Sequence, residues 1–232
     1  MIGIILFASF LVLLFGFFIF YMVTGCLCYK NRYKKNYDYL SCFPFEMSDS
    51  DDKNSHINKF ACIGLAIIVT GSSFFLIYLN PTFSSLDSLG IVIGIITLFT
   101  MASFVGLNYI PAYVFKYHLI LSVVFFSLSA LLDIVIGLTF FNLYSYLSMN
   151  KLAMTLAIIC LVIALIKGLI LVNPRLSKWT ELQSSVGSDG VVTSSRPRPF
   201  ILAFSEWLTL FLDILSLLIY IIGLLIFSLE IA

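Results

Sequence analysis

Four ionisable side chains lie within long apolar stretches of this chain, where a charge is costly. They are Asp133, Lys167, Glu206 and Asp213. An ionised group in hydrocarbon costs about 2.5 kcal/mol or more, so such residues usually face other helices and have partners. Two carboxyl groups held together in a low dielectric do not both ionise without a cation. Asp133 and Asp213 are therefore candidates for a site that shares a proton or binds a cation.

The sequence motifs of common enzymes are missing from the chain. HExxH, GxGxxG and P-loop sequences do not occur, and the two histidines are His56 and His118. Cys26 and Cys28 would supply two zinc ligands, whereas a zinc site needs three or four. We expect no metal, no cofactor and no catalytic residue, and enzymatic activity is not the favoured interpretation.

The composition indicates that lipid is the solvent for most of the chain. Of its 232 residues, 61% are hydrophobic and 11% are charged, whereas soluble domains have about 45–50% apolar and 25% charged residues. Lipid tails solvate Leu, Ile and Phe without penalty, so the bilayer is the first predicted partner. The net charge of +1 provides no basic face, which argues against a nucleic-acid partner.

Six apolar runs are long enough to cross a bilayer, which requires about 20 residues of helix. The predicted spans are about residues 2–28, 60–79, 89–108, 117–143, 152–171 and 200–228. The predicted fold class is all-α, a polytopic membrane protein in which residues 1–232 form a single six-transmembrane-helix bundle. With no recognisable sorting signal, the plasma membrane is the default localisation.

Positive charges predict how these spans are oriented. Alternate loops hold eleven Lys and Arg residues, whereas the loops on the opposite side hold only Lys151. Because cytoplasmic loops carry the excess of positive charge, both termini are predicted to lie outside. Four of these charges directly follow the first span and are expected to contact anionic lipid headgroups. They are Lys30, Arg32, Lys34 and Lys35.

Two cytoplasmic loops are long enough to have structure of their own. The loop of residues 29–59 changes from basic to acidic along its length. The loop of residues 173–199 is predicted to begin with an interfacial helix, in which Trp179 is a further candidate for headgroup contact. Its second part, Ser184 to Pro199, is rich in Ser, Gly and Pro and is predicted to be a flexible linker.

The order of the spans is compatible with a 3+3 inverted repeat. Two groups of three spans, divided near residue 112, would have opposite orientations in the membrane, as in many transporters. A shared Asn-Pro sequence supports the repeat, since Asn80-Pro81 follows the second span and Asn173-Pro174 follows the fifth. Coincidence is the alternative, because Asn-Pro commonly ends a helix.

Helical rise predicts the depth of the intramembrane charges. Counted from the cytoplasmic ends of their spans, Asp133 lies roughly 24 Å deep and Asp213 roughly 20 Å deep. The same count places Lys167 and Glu206 roughly 6–9 Å inside the cytoplasmic boundary. This depth predicts an intramembrane ion pair between Lys167 and Glu206.

Each of these assignments has a structural alternative. Asp133 and Asp213 could be neutral and hydrogen-bonded to hydroxyl groups of neighbouring helices. The candidate hydroxyl groups belong to Ser129, Thr139, Thr209 and Ser216. Lys167 could extend its apolar stem and place its ammonium among the lipid headgroups.

Three functional hypotheses follow from these patterns. The first is a small proton- or cation-linked transporter or channel-like protein, as a homodimer, in which Asp133 and Asp213 bind the ion. The second is a non-catalytic partner of another membrane protein, such as an accessory subunit, an immunity-type protein or a regulatory protein. The third is an intramembrane lipid-acting enzyme whose polar residues are dispersed along the chain.

Overall fold

The chain folds into a bundle of long helices. The computed structural model describes residues 2–49, 53–78, 86–111, 114–147, 149–173, 183–186, 192–195 and 197–231. The helices are α1 (Ile2–Tyr33), α2 (Lys53–Tyr78), α3 (Asp87–Tyr109), α4 (Phe115–Tyr146), α5 (Lys151–Leu171) and α6 (Ile201–Ile231). Within the described ranges, all six are long and apolar enough to cross a membrane. The prediction of an all-helical bundle with six such helices is confirmed.

The helices differ in length, and this affects the depth of the side chains. Helix α4 has 32 residues and α6 has 31, so each is roughly 45–50 Å long and exceeds the roughly 30 Å of bilayer hydrocarbon. Helix α5 has 21 residues, which matches that thickness. The ends of α4, α5 and α6 therefore lie at different levels, and depths counted from these ends cannot be compared directly.

Neighbouring helices in the sequence pack against each other, and α4 and α5 form a long antiparallel hairpin. The side chain of Asn150 caps α5 by accepting a hydrogen bond from the backbone N–H of Leu152 at 2.8 Å. Gly137 of α4 allows close approach, because a Cβ there would lie 3.2 Å from the Leu161 side chain of α5. The packing of this hairpin determines which side chains of α4 and α5 lie at the same level along the two helices.

Helix α6 is the most buried of the six. Burial inside the bundle covers 56% of its most apolar window, against 17% for α1, and α6 contacts α4, α5 and α1. Two buried hydrogen-bonded contacts show that α4 and α6 run parallel: His118 contacts Glu206, and Ser129 contacts Asp213 further along both helices. This parallel arrangement follows from the hairpin, because α5 runs antiparallel to α4 and the chain then turns back into α6.

The loop between α1 and α2 folds back into the bundle. We call residues 37–48 the loop plug; it includes a 3-10 turn, Pro44–Met47, that packs on α1, α3 and α6. Phe43, Phe45 and Met47 are buried there. The loop predicted for residues 29–59 is therefore shorter than expected, because α1 extends to Tyr33 and α2 begins at Lys53. Its middle part is buried through its apolar side chains.

The loop before α6 contains a two-stranded antiparallel hairpin, β1 (Gln183–Val186) and β2 (Val192–Ser195). Gln183 pairs with Ser195, and Val186 pairs with Val192. These strands lie in the stretch for which the sequence predicts a flexible linker. The predicted interfacial helix around Trp179 lies outside the described residues, as do Asn80-Pro81 and Pro174, so the inverted repeat stays a prediction.

Candidate functional site

Three helices bring three ionisable side chains into one buried site. Lys167 Nζ of α5 lies 2.6 Å from Asp133 Oδ2 of α4 and 2.6 Å from Asp213 Oδ1 of α6. All three side chains have 0% exposure. The two aspartates that the sequence singles out are thus brought together, with an ammonium group between them. We call this cluster the Asp-Lys-Asp site.

The predicted ion pair between Lys167 and Glu206 is not formed, because Lys167 contacts the two aspartates instead. Because α4, α5 and α6 differ in length, a depth counted from the helix ends does not give the level of Lys167 relative to the aspartates. Measured from the turn between α4 and α5, Asp133 lies roughly 20 Å deep and Lys167 roughly 24 Å deep, which is nearly level. Nor does the Lys167 ammonium extend toward a headgroup, since its side chain is completely buried inside the bundle.

Hydroxyl groups surround the Asp-Lys-Asp site. Ser129 donates a hydrogen bond to Asp213 Oδ1, while Thr139 donates to the backbone of its own helix. Among the described residues, several buried oxygens on this face have no hydrogen-bond partner. They are Asp213 Oδ2, Thr209 Oγ1 and the Tyr220 hydroxyl. The Ser216 hydroxyl forms a hydrogen bond with the Asp133 carboxyl group.

The charge of the Asp-Lys-Asp site is unbalanced. One ammonium between two carboxylates leaves a net charge of −1 when all three groups are ionised. A net buried charge is strongly unfavourable, because few dipoles are available to solvate it. The site is therefore suited to take up one proton, or one monovalent cation, at a carboxylate oxygen such as Asp213 Oδ2, which has no partner among the described residues.

A second buried polar cluster joins the beginnings of α4 and α6. His118 Nε2 lies 3.0 Å from Glu206 Oε1, and Ser122 donates a hydrogen bond to the same oxygen at 2.8 Å. His118 Nδ1 lies 2.7 Å from the carbonyl oxygen of Ile110, which can only accept, so Nδ1 carries a hydrogen. His118 and Glu206 have side-chain exposures of 1% and 0%.

A continuous polar face of α6 connects the two clusters. Its residues are Glu206, Thr209, Asp213, Ser216 and Tyr220, and all five are buried. Their intervals of three and four residues place them on one side of the helix. We call this face the polar seam. This spacing is visible in the sequence, where it also links Glu206 to Thr209 and Asp213 on one helix face.

The candidate headgroup contacts lie at the end of α1 and in the following loop. Lys30, Arg32, Lys34 and Lys35 are exposed, and Arg32 Nη1 also lies 3.3 Å from Asp49 Oδ2. Contact with lipid stays a prediction for these residues. The fifth candidate, Trp179, lies outside the described residues.

The described ranges contain no group of three or more His, Cys, Asp or Glu residues able to hold a metal ion. Among the described residues, none of the five cysteines forms a disulfide bond. No protein-family model, curated protein or solved structure matches the chain.

Proposed function

We propose that this chain is an integral membrane protein, with both termini outside, that transports protons or couples transport to a proton or a monovalent cation. The carrying observation is the buried contact of Lys167 with Asp133 and Asp213. Six helices long and apolar enough to cross a membrane support the location. The plasma membrane is the default assignment.

The proposed mechanism depends on competition between the Lys167 ammonium and an incoming proton or cation for the two carboxylates. In the resting state the Lys167 ammonium is shared between Asp133 and Asp213 at 2.6 Å each. When one carboxyl group takes up a proton, its attraction to the ammonium falls, and Lys167 is held by the other aspartate alone. A monovalent cation would act in the same way by competing with the ammonium for carboxylate oxygens.

The arrangement couples ion occupancy to helix position. Each of the three charges lies on a different helix, so a change in the Asp133 contact acts between α4 and α5, and a change in the Asp213 contact acts between α5 and α6. An ion shifts a conformational equilibrium only if it interacts differently with the two states. Unequal attraction of Lys167 to protonated and ionised aspartate supplies that difference.

The test is ion flux into proteoliposomes that contain the purified full-length protein. Proton, Na⁺ and K⁺ gradients are applied separately to wild type, Asp133→Asn and Asp213→Asn. We expect either substitution to lower the flux of the transported ion by about tenfold or more, equivalent to about 1.4 kcal/mol in a barrier. Asp87→Asn is the control, because Asp87 lies in the first turn of α3, a helix that contributes no residue to the Asp-Lys-Asp site.

Wild-type flux that is unchanged in both variants would refute a role for the Asp-Lys-Asp site. Absence of flux with every ion, in folded wild-type protein, would refute transport of these ions and leave the hypothesis of a non-catalytic membrane partner.

A further inference from the structure

We infer that His118, Glu206 and Ser122 form a second protonation site, which exchanges protons between the loop-plug side of the bundle and the Asp-Lys-Asp site. Its role in transport rests on the proposed function, whereas its ability to bind and release a proton does not. We call these three residues the entry site.

The hydrogen bonds of the entry site allow one proton to move between His118 and Glu206. With Nδ1 donating to Ile110, Nε2 either donates to the Glu206 carboxylate or accepts from the protonated carboxyl group. Moving the proton from Nε2 to Oε1 converts imidazolium and carboxylate into imidazole and carboxylic acid. The heavy atoms need not move, because they already lie 3.0 Å apart.

Glu206 has an oxygen left for the next transfer. Oε1 accepts from Ser122 and contacts His118, while Oε2 is buried without a partner among the described residues. Thr209 Oγ1, one turn further along the polar seam, is also buried without a partner. Residues three or four apart on a helix are about 5–6 Å apart at Cβ, a distance that a hydroxyl or one water can bridge. Asp213 follows four residues later on the same face.

The loop plug covers the entry site. The Phe43 and Phe45 rings lie edge-on to His118, with centroid distances of 5.3 and 5.7 Å. Tyr37 donates to the Phe43 carbonyl oxygen at 2.7 Å, and Trp207 Nε1 donates to the Tyr37 hydroxyl at 2.9 Å. Because Trp207 directly follows Glu206 in α6, the loop plug and the entry site contact the same turn of that helix.

Other titratable groups near the entry site have hydrogen-bond partners of their own. Tyr21 of α1 interacts electrostatically with Glu206 and donates its hydroxyl hydrogen to Asn108 of α3 at 2.8 Å. Within the plug, the Glu46 carboxylate accepts from the backbone N–H of Phe43 at 2.7 Å. We therefore assign the mobile proton of the entry site to the contact between His118 and Glu206.

The first experiment measures protonation directly, without transport. The chain has two histidines, so His56→Gln leaves His118 as the only imidazole that nitrogen NMR reports in lipid bilayers. We expect His118 to titrate, and a further Glu206→Gln change to shift its equilibrium toward the neutral ring, because the stabilising carboxylate is gone. A His118 signal that does not titrate, or that titrates identically in Glu206→Gln, would overturn the entry site.

The second experiment measures proton flux in proteoliposomes while only the pH on the plug side is varied. We expect His118→Gln and Glu206→Gln to lower the flux by about tenfold and to abolish its dependence on that pH. Ser127→Ala is the matched control, because Ser127 of α4 is exposed and bonds only to its own helix.

The two proposals fail in different ways. Flux that needs Asp133 and Asp213 but is unchanged in His118→Gln and Glu206→Gln would overturn the entry site and leave the proposed function standing. Coupled titration of His118 in a protein without flux would support a second protonation site and refute transport.

Discussion

The Lys167 ammonium lies 2.6 Å from Asp133 Oδ2, and neither side chain is exposed. This contact ties α5 to its hairpin partner α4, while the second contact of the same ammonium ties α5 to α6. Helix α5 thus carries the one positive charge of the Asp-Lys-Asp site. Its position should depend on how the two carboxyl groups are protonated.

Removing the positive charge should destabilise the bundle. Lys167→Met leaves two buried carboxyl groups without their counter-ion, and breaking a buried ion pair costs about 3–5 kcal/mol. We expect a loss of that order in the free energy of unfolding, measured with denaturant in mixed micelles. Lys151→Met, an exposed change on the same helix, should alter it by less than about 0.5 kcal/mol.

Replacing all three ionisable residues of the Asp-Lys-Asp site with neutral ones should restore much of this stability. In the combined Asp133→Asn, Lys167→Met and Asp213→Asn variant, no buried charge is left uncompensated. We expect it to be more stable than Lys167→Met alone in the same unfolding experiment. A combined variant as unstable as the single one would show that lost packing, and not charge, explains the effect.

The hydrogen bond from Ser129 to Asp213 should stabilise the carboxylate. A hydrogen bond to a charged group contributes about 1.5–3 kcal/mol, so Ser129→Ala should lower the free energy of unfolding by about that amount. Ser127→Ala, on the exposed side of the same helix, is the comparison. Equal stability of the two variants would argue that Asp213 does not depend on the Ser129 hydroxyl.

Gly25 allows the loop plug to approach α1. A Cβ at this position would lie 2.9 Å from Asn58 Nδ2 and would collide with the Met47 side chain. Overpacking of this kind costs about 1–3 kcal/mol, and we expect that loss for Gly25→Ala in thermal unfolding. Gly16→Ala on the same helix meets no atom within 4 Å and should be neutral, so an equal effect would contradict the packing of the plug.

Tyr37 should hold the loop plug closed. Burial raises the pKa of the Tyr37 phenol well above its ordinary value, so the hydroxyl keeps its hydrogen near neutral pH. Tyr37→Phe removes its bonds to the plug backbone and should speed alkylation of Cys42 roughly fivefold, equivalent to about 1 kcal/mol. The assay uses chains in which the other four cysteines are alanine.

The control for this assay is Tyr146→Phe, a change to an exposed side chain at the end of α4. It should leave the alkylation rate of Cys42 unaltered. A rate that is the same in Tyr37→Phe and wild type would show that the Tyr37 bonds do not limit plug opening.

Charge asymmetry of the loops predicts the orientation, which reporter fusions can check. Reporters active only outside should function at both termini, and reporters active only in the cytoplasm should function in the loops at residues 35 and 197. The opposite pattern would place the loop plug outside, and the entry site would then exchange protons with the exterior.

Six helices long and apolar enough to cross a membrane were predictable, because lipid requires every backbone polar group to be bonded within a helix, which leaves long apolar runs in the sequence. The same physics identified Asp133 and Asp213, since charges in such runs must face the interior. The sequence also predicts Thr209 and Ser216 as hydrogen-bond partners of the aspartates. Their helical spacing with Glu206 and Asp213 also encodes the polar seam.

Only the tertiary structure determines which partners the buried ionisable side chains contact. Helical rise gives distances along one helix, whereas the axial shift between helices depends on contacts such as that of Gly137 with Leu161. That shift places Lys167 between two aspartates and His118 opposite Glu206. The loop plug likewise required the fold, because Phe43 and Phe45 become buried only where α1, α3 and α6 leave a space of their size.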